Sequence, residues 1–170
     1  TNARHLKRQS ASSLAIIVKG NQNMLFADIL EKMQMLLSKN GENAEVSYID
    51  EDANEVECAF ALCRDRNPKG IIFLGGNLDY FDAFDGIEVP CVLLTNSAGS
   101  LNISNLSSFY TDDEEASYQL GSYLIKNGHK KIGVIGGTLS ATQISSSRYA
   151  GCLRSFEENG IDFDEEKGYV

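Results

Sequence analysis

Short apolar runs rich in β-branched residues alternate with helical segments along this chain, and this alternation restricts its fold more than any other feature. The predicted strands are residues 14–18, 44–49, 70–74, 89–94 and 131–135. Apolar residues at helical spacing mark segments 25–37, 54–65, 112–127 and 145–159. Strands separated by helices form βαβ units, in which the strands pair in parallel. The sequence therefore predicts an α/β protein with a parallel sheet and flanking helices.

The first predicted strand, residues 14–18, is apolar throughout instead of alternating, which is typical of a strand buried on both faces. Residues 78–84 are expected to form one short helix. Residues 96–108 are rich in Ser, Asn and Gly, which predicts a surface loop, followed by a brief strand at 109–110. In the first helix, the methionines and leucines are interpreted as core residues, part of which can reach a dimer interface. The methionines in question are Met24, Met33 and Met35.

Charge is distributed unevenly along the 170 residues. The net charge is −9, yet the first ten residues contain three basic residues and no acidic one, leaving 12 basic against 24 acidic residues in the remainder. A body of that sign repels phosphate backbones, so only the N-terminal segment is a candidate for contact with nucleic acid. No apolar run approaches the roughly 20 residues that a membrane-spanning helix needs.

Residues suited to catalysis or metal binding are scarce. The four cysteines form no CxxC pair and lie far from histidine in sequence, which favours reduced, structural thiols and a cytoplasmic location. The glycines at 133–137 lack both the GxGxxG spacing and the Lys-Ser/Thr of a phosphate-binding loop. With two histidines and no recognisable acid–base pair, the sequence predicts a protein that is not an enzyme and uses no metal and no cofactor.

Three stretches, taken together, resemble the lactose-repressor (LacI-type) family of transcriptional regulators. They are the basic segment NARHLKRQS at 2–10, the run GHKKIGVIGG at 128–137, and a helix that starts with RYAG at 148–151 and ends with EENGI at 157–161. The resemblance covers nearly the whole chain. It implies the type I fold of periplasmic binding proteins, with a hinge segment at 1–12, an N-terminal effector-binding lobe at 13–128 and the beginning of a C-terminal lobe at 129–170.

The resemblance also implies a function: the effector-binding core of a repressor that binds operator DNA through a head preceding Thr1. The expected partners are a small-molecule effector, such as a sugar, the operator, and a second copy of the chain. An alternative with the same fold is the solute-binding protein of a sugar transporter. That alternative predicts a secretion signal upstream and no basic hinge, so the basic segment favours the repressor.

The hinge assignment rests on Ala3 and Leu6, which match positions of the family's minor-groove helix. They are flanked by Arg4, Lys7 and Arg8, which are expected to contact phosphates. A small residue allows close approach to the groove, an apolar residue wedges a base step, and cations release counterions from phosphates. The alternative is a solvated basic linker without a specific role.

The effector is expected at the carboxyl ends of the parallel strands, where open α/β sheets bind ligands. The predicted contact residues are Asn23, Phe26, Gly75, Thr95, Asn96, Thr142 and Arg148. Arg148 matches a family arginine that holds ligand oxygens, and its alternative is an ordinary surface residue at a helix start. Phe26 also fits the apolar stripe of its helix. Thr95 stands where several relatives carry an aspartate, which leaves the identity of the ligand open. Asp112 is expected to cap the following helix.

Overall fold

The computed structural model describes residues 13–20, 23–139, 144–164 and 168. The predicted hinge, residues 1–12, and the predicted site residue Thr142 lie outside these ranges. The chain divides into two compact units, residues 1–110 and 111–170, which we describe separately.

Unit 1 contains a five-stranded sheet in the order β2-β1-β3-β4-β5. Every neighbouring pair is parallel, as predicted for consecutive βαβ units. The strands are β1 (Leu14–Lys19), β2 (Ala44–Ile49), β3 (Ile71–Leu74), β4 (Cys91–Leu94) and β5 (Leu106–Phe109).

The two faces of this sheet are covered by different helices. In β1, Ala15 and Ile17 belong to one apolar cluster, whereas Ile16 and Val18 belong to another. The first cluster includes Val56 from helix α2 (Glu55–Arg66) and Phe81 from a 3-10 helix (Leu78–Ala83), and the second includes Leu30 from helix α1 (Met24–Lys39). Because both faces of β1 are covered, an uninterrupted apolar sequence is required there, and the prediction of a doubly buried strand is confirmed.

Asparagine and aspartate begin the helices. The Asn23 side chain accepts hydrogen bonds at the start of α1, and Asn54 does the same for α2. In unit 2, Asp112 accepts a hydrogen bond from Glu115 N at the start of helix α3 (Asp113–Lys126), which confirms its predicted role. These side chains satisfy backbone N–H groups that have no partner within the helix.

Two predicted strands differ from the structure. The brief strand expected at 109–110 is instead β5, Leu106–Phe109, because Ser107 and Ser108 pair with β4 although their composition suggested a loop. The strand predicted at 131–135 is wrong: Val134 forms a single bridge, its N–H donating to Gly168 O at 2.7 Å. A strand exists only where a neighbour supplies a hydrogen-bonding ladder, and the described residues of unit 2 supply only this bridge.

Unit 2 consists mainly of α3 packed against helix α4 (Ile144–Glu158). Glycines bring the two helices close together. A Cβ added at Gly151 would lie 2.0 Å from Glu114 O, and one at Gly121 would lie 2.0 Å from Ser155 Oγ. The Arg154 guanidinium, stacked 4.2 Å from the centre of the Tyr118 ring, bridges Glu114 and Glu115 across the helix pair.

Candidate functional site

The carboxyl ends of the strands in unit 1 share one edge of the sheet, since all five strands run in the same direction. We call this edge the ligand edge, defined by the residues that follow β1 to β5. The structure places five of the predicted site residues there: Asn23, Phe26, Gly75, Thr95 and Asn96. In parallel sheets the loops at this edge form the usual ligand site.

Gly75 and Phe26 lie in contact at the end of β3. Gly75 has a φ of +78°, and a Cβ at this position would come within 2.7 Å of Phe26 Cε2. Glycine is therefore required both by the backbone conformation and by the adjacent ring. Phe26 is half-buried and packs with Leu30 and Leu74, so the core role considered from the sequence is confirmed. Its contact with a ligand stays a prediction.

Thr95 and Asn96 follow β4, and Thr95 has an unusual backbone conformation. Thr95 has a φ of +78°, although β-branched residues seldom adopt positive φ values. Its N–H donates to Phe109 O at 2.8 Å, which fixes this conformation against β5. Asn96 is 8% exposed, and its Nδ2 donates to Gly76 O at 2.8 Å. The loops after β3 and β4 are thus joined by a side chain from the middle of the predicted site.

Replacing Asn96 with alanine is expected to lower the free energy of unfolding by about 1–2 kcal/mol, because Gly76 O loses its buried donor. Urea denaturation measures the change. An exposed asparagine in the same loop, Asn102, provides a control, since its replacement by glycine fits its positive φ of 51°. Equal losses in both variants would contradict a specific role for the Asn96 bridge.

Asn23, the remaining predicted contact at this edge, is exposed. Its Oδ1 accepts from Leu25 N at 3.0 Å and from Phe26 N at 3.4 Å. The amide oxygen therefore caps the helix, and a hydrogen bond from Asn23 to a ligand would come from its Nδ2 group.

A buried ion pair, not predicted from the sequence, also lies at the ligand edge. Lys19 Nζ, at the end of β1, lies 2.6 Å from Glu55 Oε2, at the start of α2. The side chains are 10% and 0% exposed, respectively. Glu55 Oε1 accepts from Asn77 N at 2.5 Å, so the carboxylate joins the loops that follow β1, β2 and β3. A lysine ending an apolar strand was the only sequence signal, and its partner is 36 positions away.

Arg148, the predicted ligand-holding arginine, belongs to unit 2. Its Nε donates to Asp113 Oδ1 at 2.7 Å, while its side chain is 60% exposed. Within the described part of the chain, this is its one hydrogen bond, and it leaves Nη1 and Nη2 without a partner. The guanidinium is therefore both oriented by a carboxylate and accessible, which is compatible with its predicted role and with an ordinary surface ion pair.

The four cysteines are unpaired, as expected. Burial raises the pKa of the Cys91 thiol to about 12, and it also raises the pKa values of Cys58, Cys63 and Cys152. Thiols with raised pKa values are poor nucleophiles, which agrees with a structural role. Among residues with described positions, no group of three or more His, Cys, Asp or Glu side chains is arranged to hold a metal ion.

Comparisons with known proteins identify the family. The sequence profile described as "Periplasmic binding proteins and sugar binding domain of LacI family" matches residues 11–167. The chain is 27% identical to the HTH-type transcriptional regulator MalR of Clostridium butyricum, covering 97% of this chain and 50% of MalR. It is 24% identical to the HTH-type transcriptional repressor PurR of Actinobacillus pleuropneumoniae, covering 98% of this chain and 52% of PurR.

A solved structure gives the same fold. The transcription regulator CcpA of Lactococcus lactis matches with a TM-score of 0.77 and 23% identity, over 94% of this chain and 58% of CcpA. The chain thus spans about half the length of the relatives it matches. These relatives are named as a transcriptional regulator and a transcriptional repressor. The type I periplasmic-binding-protein fold is confirmed, and the chain belongs to the LacI-type family of periplasmic binding proteins and sugar-binding domains.

Proposed function

We propose that this chain is the small-molecule-sensing core of a DNA-binding transcriptional repressor. The observation that carries the proposal is the ligand edge, where Gly75 and Thr95 adopt positive φ values and the Asn96 side chain joins two loops. Non-glycine residues at positive φ are concentrated at functional sites, since their strain needs support from the surroundings. The relatives named as transcriptional regulators support regulation rather than transport, the alternative considered from the sequence.

The proposed effector contacts are the five residues of the ligand edge together with Thr142 and Arg148. The proposed DNA contacts are the hinge residues Ala3, Arg4, Leu6, Lys7 and Arg8. Effector binding changes operator affinity because it favours one of two conformations that differ in their affinity for DNA. The four unpaired cysteines and the regulatory relatives support a cytoplasmic location. Within the described ranges, no helix is long and apolar enough to cross a bilayer.

The test is a titration of the intact protein with operator DNA, selected from random sequences, in the presence and absence of candidate effectors. We expect at least one small molecule to change the operator affinity by tenfold or more, roughly the coupling typical of allosteric proteins. A protein that binds no DNA sequence selectively would contradict the proposal.

Arg148→Ala is expected to reduce effector affinity by roughly 10- to 100-fold, because a charged hydrogen-bond partner of the ligand is lost. Operator affinity without effector should stay unchanged. Arg64→Ala is the matched control, since Arg64 also forms an exposed ion pair through its Nε, with Asp65. An unchanged effector response in Arg148→Ala would show that Arg148 does not contact the effector.

The proposed homodimer uses one side of α1. Leu25 and Leu36 are 58% and 60% exposed, and they are separated by eleven residues, or three helical turns, so they share one side of the helix. The prediction of a core position is confirmed for Met33, which packs against the second apolar cluster. It is wrong for Met24 and Met35, which are 84% and 66% exposed, because the helix turns its opposite face to the sheet. Exposed apolar side chains in a row are typical of an interface.

We expect Leu25→Glu/Leu36→Glu to raise the dimer dissociation constant of the intact protein by at least about tenfold, since charges enter an apolar contact. Sedimentation equilibrium measures this constant. Gln34→Glu is the control, because it adds a charge at an exposed polar position of the same helix. A double variant that dimerises like the control would place the interface elsewhere.

A further inference from the structure

Three helices of this chain end in the same way. Helices α1, α3 and α4 are each followed by an Asn-Gly pair, at 40–41, 127–128 and 159–160. In each pair the asparagine Nδ2 donates to the carbonyl oxygen four residues earlier, at 2.7–2.8 Å. The glycine has a positive φ, and the residue after it donates its N–H to the carbonyl oxygen five residues earlier. Asparagine and glycine together therefore close the last turn of each helix.

An Asn-Gly pair can also react with itself. The glycine nitrogen, after losing its proton to solvent, attacks Cγ of the asparagine, because no glycine side chain hinders its approach. The new N–Cγ bond replaces the Cγ–Nδ2 bond, and Nδ2 leaves as ammonia after taking up a proton. Water then opens the resulting succinimide ring at one of its two carbonyl groups, which gives aspartate or isoaspartate. The reaction needs no enzyme and no reagent besides water.

The folded helix ends hold each pair away from this reaction. Ring closure requires rotation about the asparagine Cα–C bond, yet ψ is 9° in Asn40 and 10° in Asn127. The glycine N–H groups are also occupied, since Gly41, Gly128 and Gly160 donate to carbonyl oxygens at 3.0, 2.9 and 3.2 Å. The last turn must therefore open before the pair can react. Terminal turns open more readily than the rest of a helix, so the reaction proceeds without global unfolding.

Charge distinguishes the second pair from the other two. Four basic or titratable residues adjoin it, and all are exposed: Lys126, His129, Lys130 and Lys131. None of the three lysines forms an ion pair with another residue of the described ranges. The first pair lies between a lysine and a glutamate, at 39 and 42, and the third follows two glutamates, at 157–158. Because the attacking nitrogen and then the oxyanion on Oδ1 carry negative charge, nearby ammonium groups favour the reaction and carboxylates oppose it.

From these contacts and charges we infer that Asn127–Gly128 is a self-modification site, where the chain converts its own asparagine into aspartate and isoaspartate. The inference goes beyond the proposed function and does not depend on it. The product lacks the amide donor to Tyr123 O and carries a carboxylate at the C-terminal end of a helix, where negative charge is unfavourable. Isoaspartate also lengthens the backbone by a methylene group, which displaces His129 N from Leu124 O. Conversion therefore loosens the end of α3 as the protein ages.

The experiment follows the intact protein during storage at neutral pH and physiological temperature. Peptide mapping by mass spectrometry measures the converted fraction at each of the three pairs, with fragmentation that distinguishes isoaspartate from aspartate. We expect Asn127 to convert at least about threefold faster than Asn40 and Asn159. An equal or faster rate at either of the other pairs would overturn the inference. So would an intact Asn127 after a period in which the urea-unfolded chain converts at all three pairs.

Two variants test the role of the cations. Lys130→Gln/Lys131→Gln should slow the conversion of Asn127 by roughly threefold at low ionic strength, and high salt should produce a similar loss in the original protein. Lys32→Gln/Arg64→Gln is the matched control, because it removes two positive charges from exposed positions of unit 1. Its rate should equal that of the original protein. Equal rates in the two variants would show that the neighbouring lysines do not promote the reaction, which would contradict the inference.

Discussion

Lys19→Met is expected to lower the free energy of unfolding by about 3–5 kcal/mol, the largest effect we predict for a single substitution. The substitution leaves the Glu55 carboxylate without a counterion in a position with no exposed surface. Ala53 O also loses a donor. Removing one member of a buried pair is far more costly than the pair is worth, because the remaining charge has already been taken out of water. Urea unfolding followed by circular dichroism measures the loss.

The control for this prediction is the double variant Lys19→Met/Glu55→Leu. It removes both charges, so its stability should lie within about 1–2 kcal/mol of the original protein, although Asn77 N loses its acceptor. A double-mutant cycle then gives a large coupling energy between the two positions. If the losses in free energy of unfolding of the two single variants summed to the loss in the double variant, the ion pair would not explain the destabilisation.

Gly151→Ala is expected to destabilise unit 2 by about 3 kcal/mol. A Cβ at this position would stand 2.0 Å from Glu114 O and 3.0 Å from Tyr118 N, both backbone atoms, so α3 and α4 must move apart. The displacement would also disturb the Arg154 bridge to Glu114 and Glu115. Overpacking of this kind costs about 1–3 kcal/mol or more, and it outweighs the gain of about 1 kcal/mol from alanine's helix propensity.

Hydrogen exchange of the α3 and α4 amides reports this effect locally, because the loss should be confined to the helix pair. Ser147→Ala is the matched control, since Ser147 is an exposed residue on the same helix. It should leave the exchange rates unchanged or slightly slower. Normal protection of α3 in Gly151→Ala would contradict the close crossing of the two helices.

Local sequence patterns were sufficient to predict β1 to β4 of the unit 1 sheet. The uninterrupted apolar run of β1 and the Asp112 cap depend on neighbours along the chain, which is information that a local sequence pattern contains. β5 is the instructive exception, since Ser107 and Ser108 have a loop-like composition and become a strand only through pairing with β4. Strand formation depends on partners as much as on composition.

The candidate site was predicted less completely, for a related reason. Strand ends can be located from the sequence, and this was enough to place Gly75, Thr95 and Asn96 at one edge. The contact between Lys19 and Glu55 joins positions 36 residues apart, and a lone lysine or glutamate carries no sign of its partner. Charge compensation is a property of three-dimensional neighbours. For the same reason, the ion pair between Arg148 and Asp113, 35 positions apart, was not expected.

The left-handed backbone conformation of Thr95 lowers the stability of the protein, while its side chain is a proposed ligand contact. A threonine held at a φ of +78° costs on the order of 1–2 kcal/mol relative to a relaxed backbone, and asparagine or glycine would tolerate that angle more easily. Selection for thermal stability alone should therefore favour asparagine or glycine at position 95. Such a substitution would remove the proposed effector contact. Positions at which a screen for thermal stability repeatedly replaces the original residue are therefore candidates for ligand contacts.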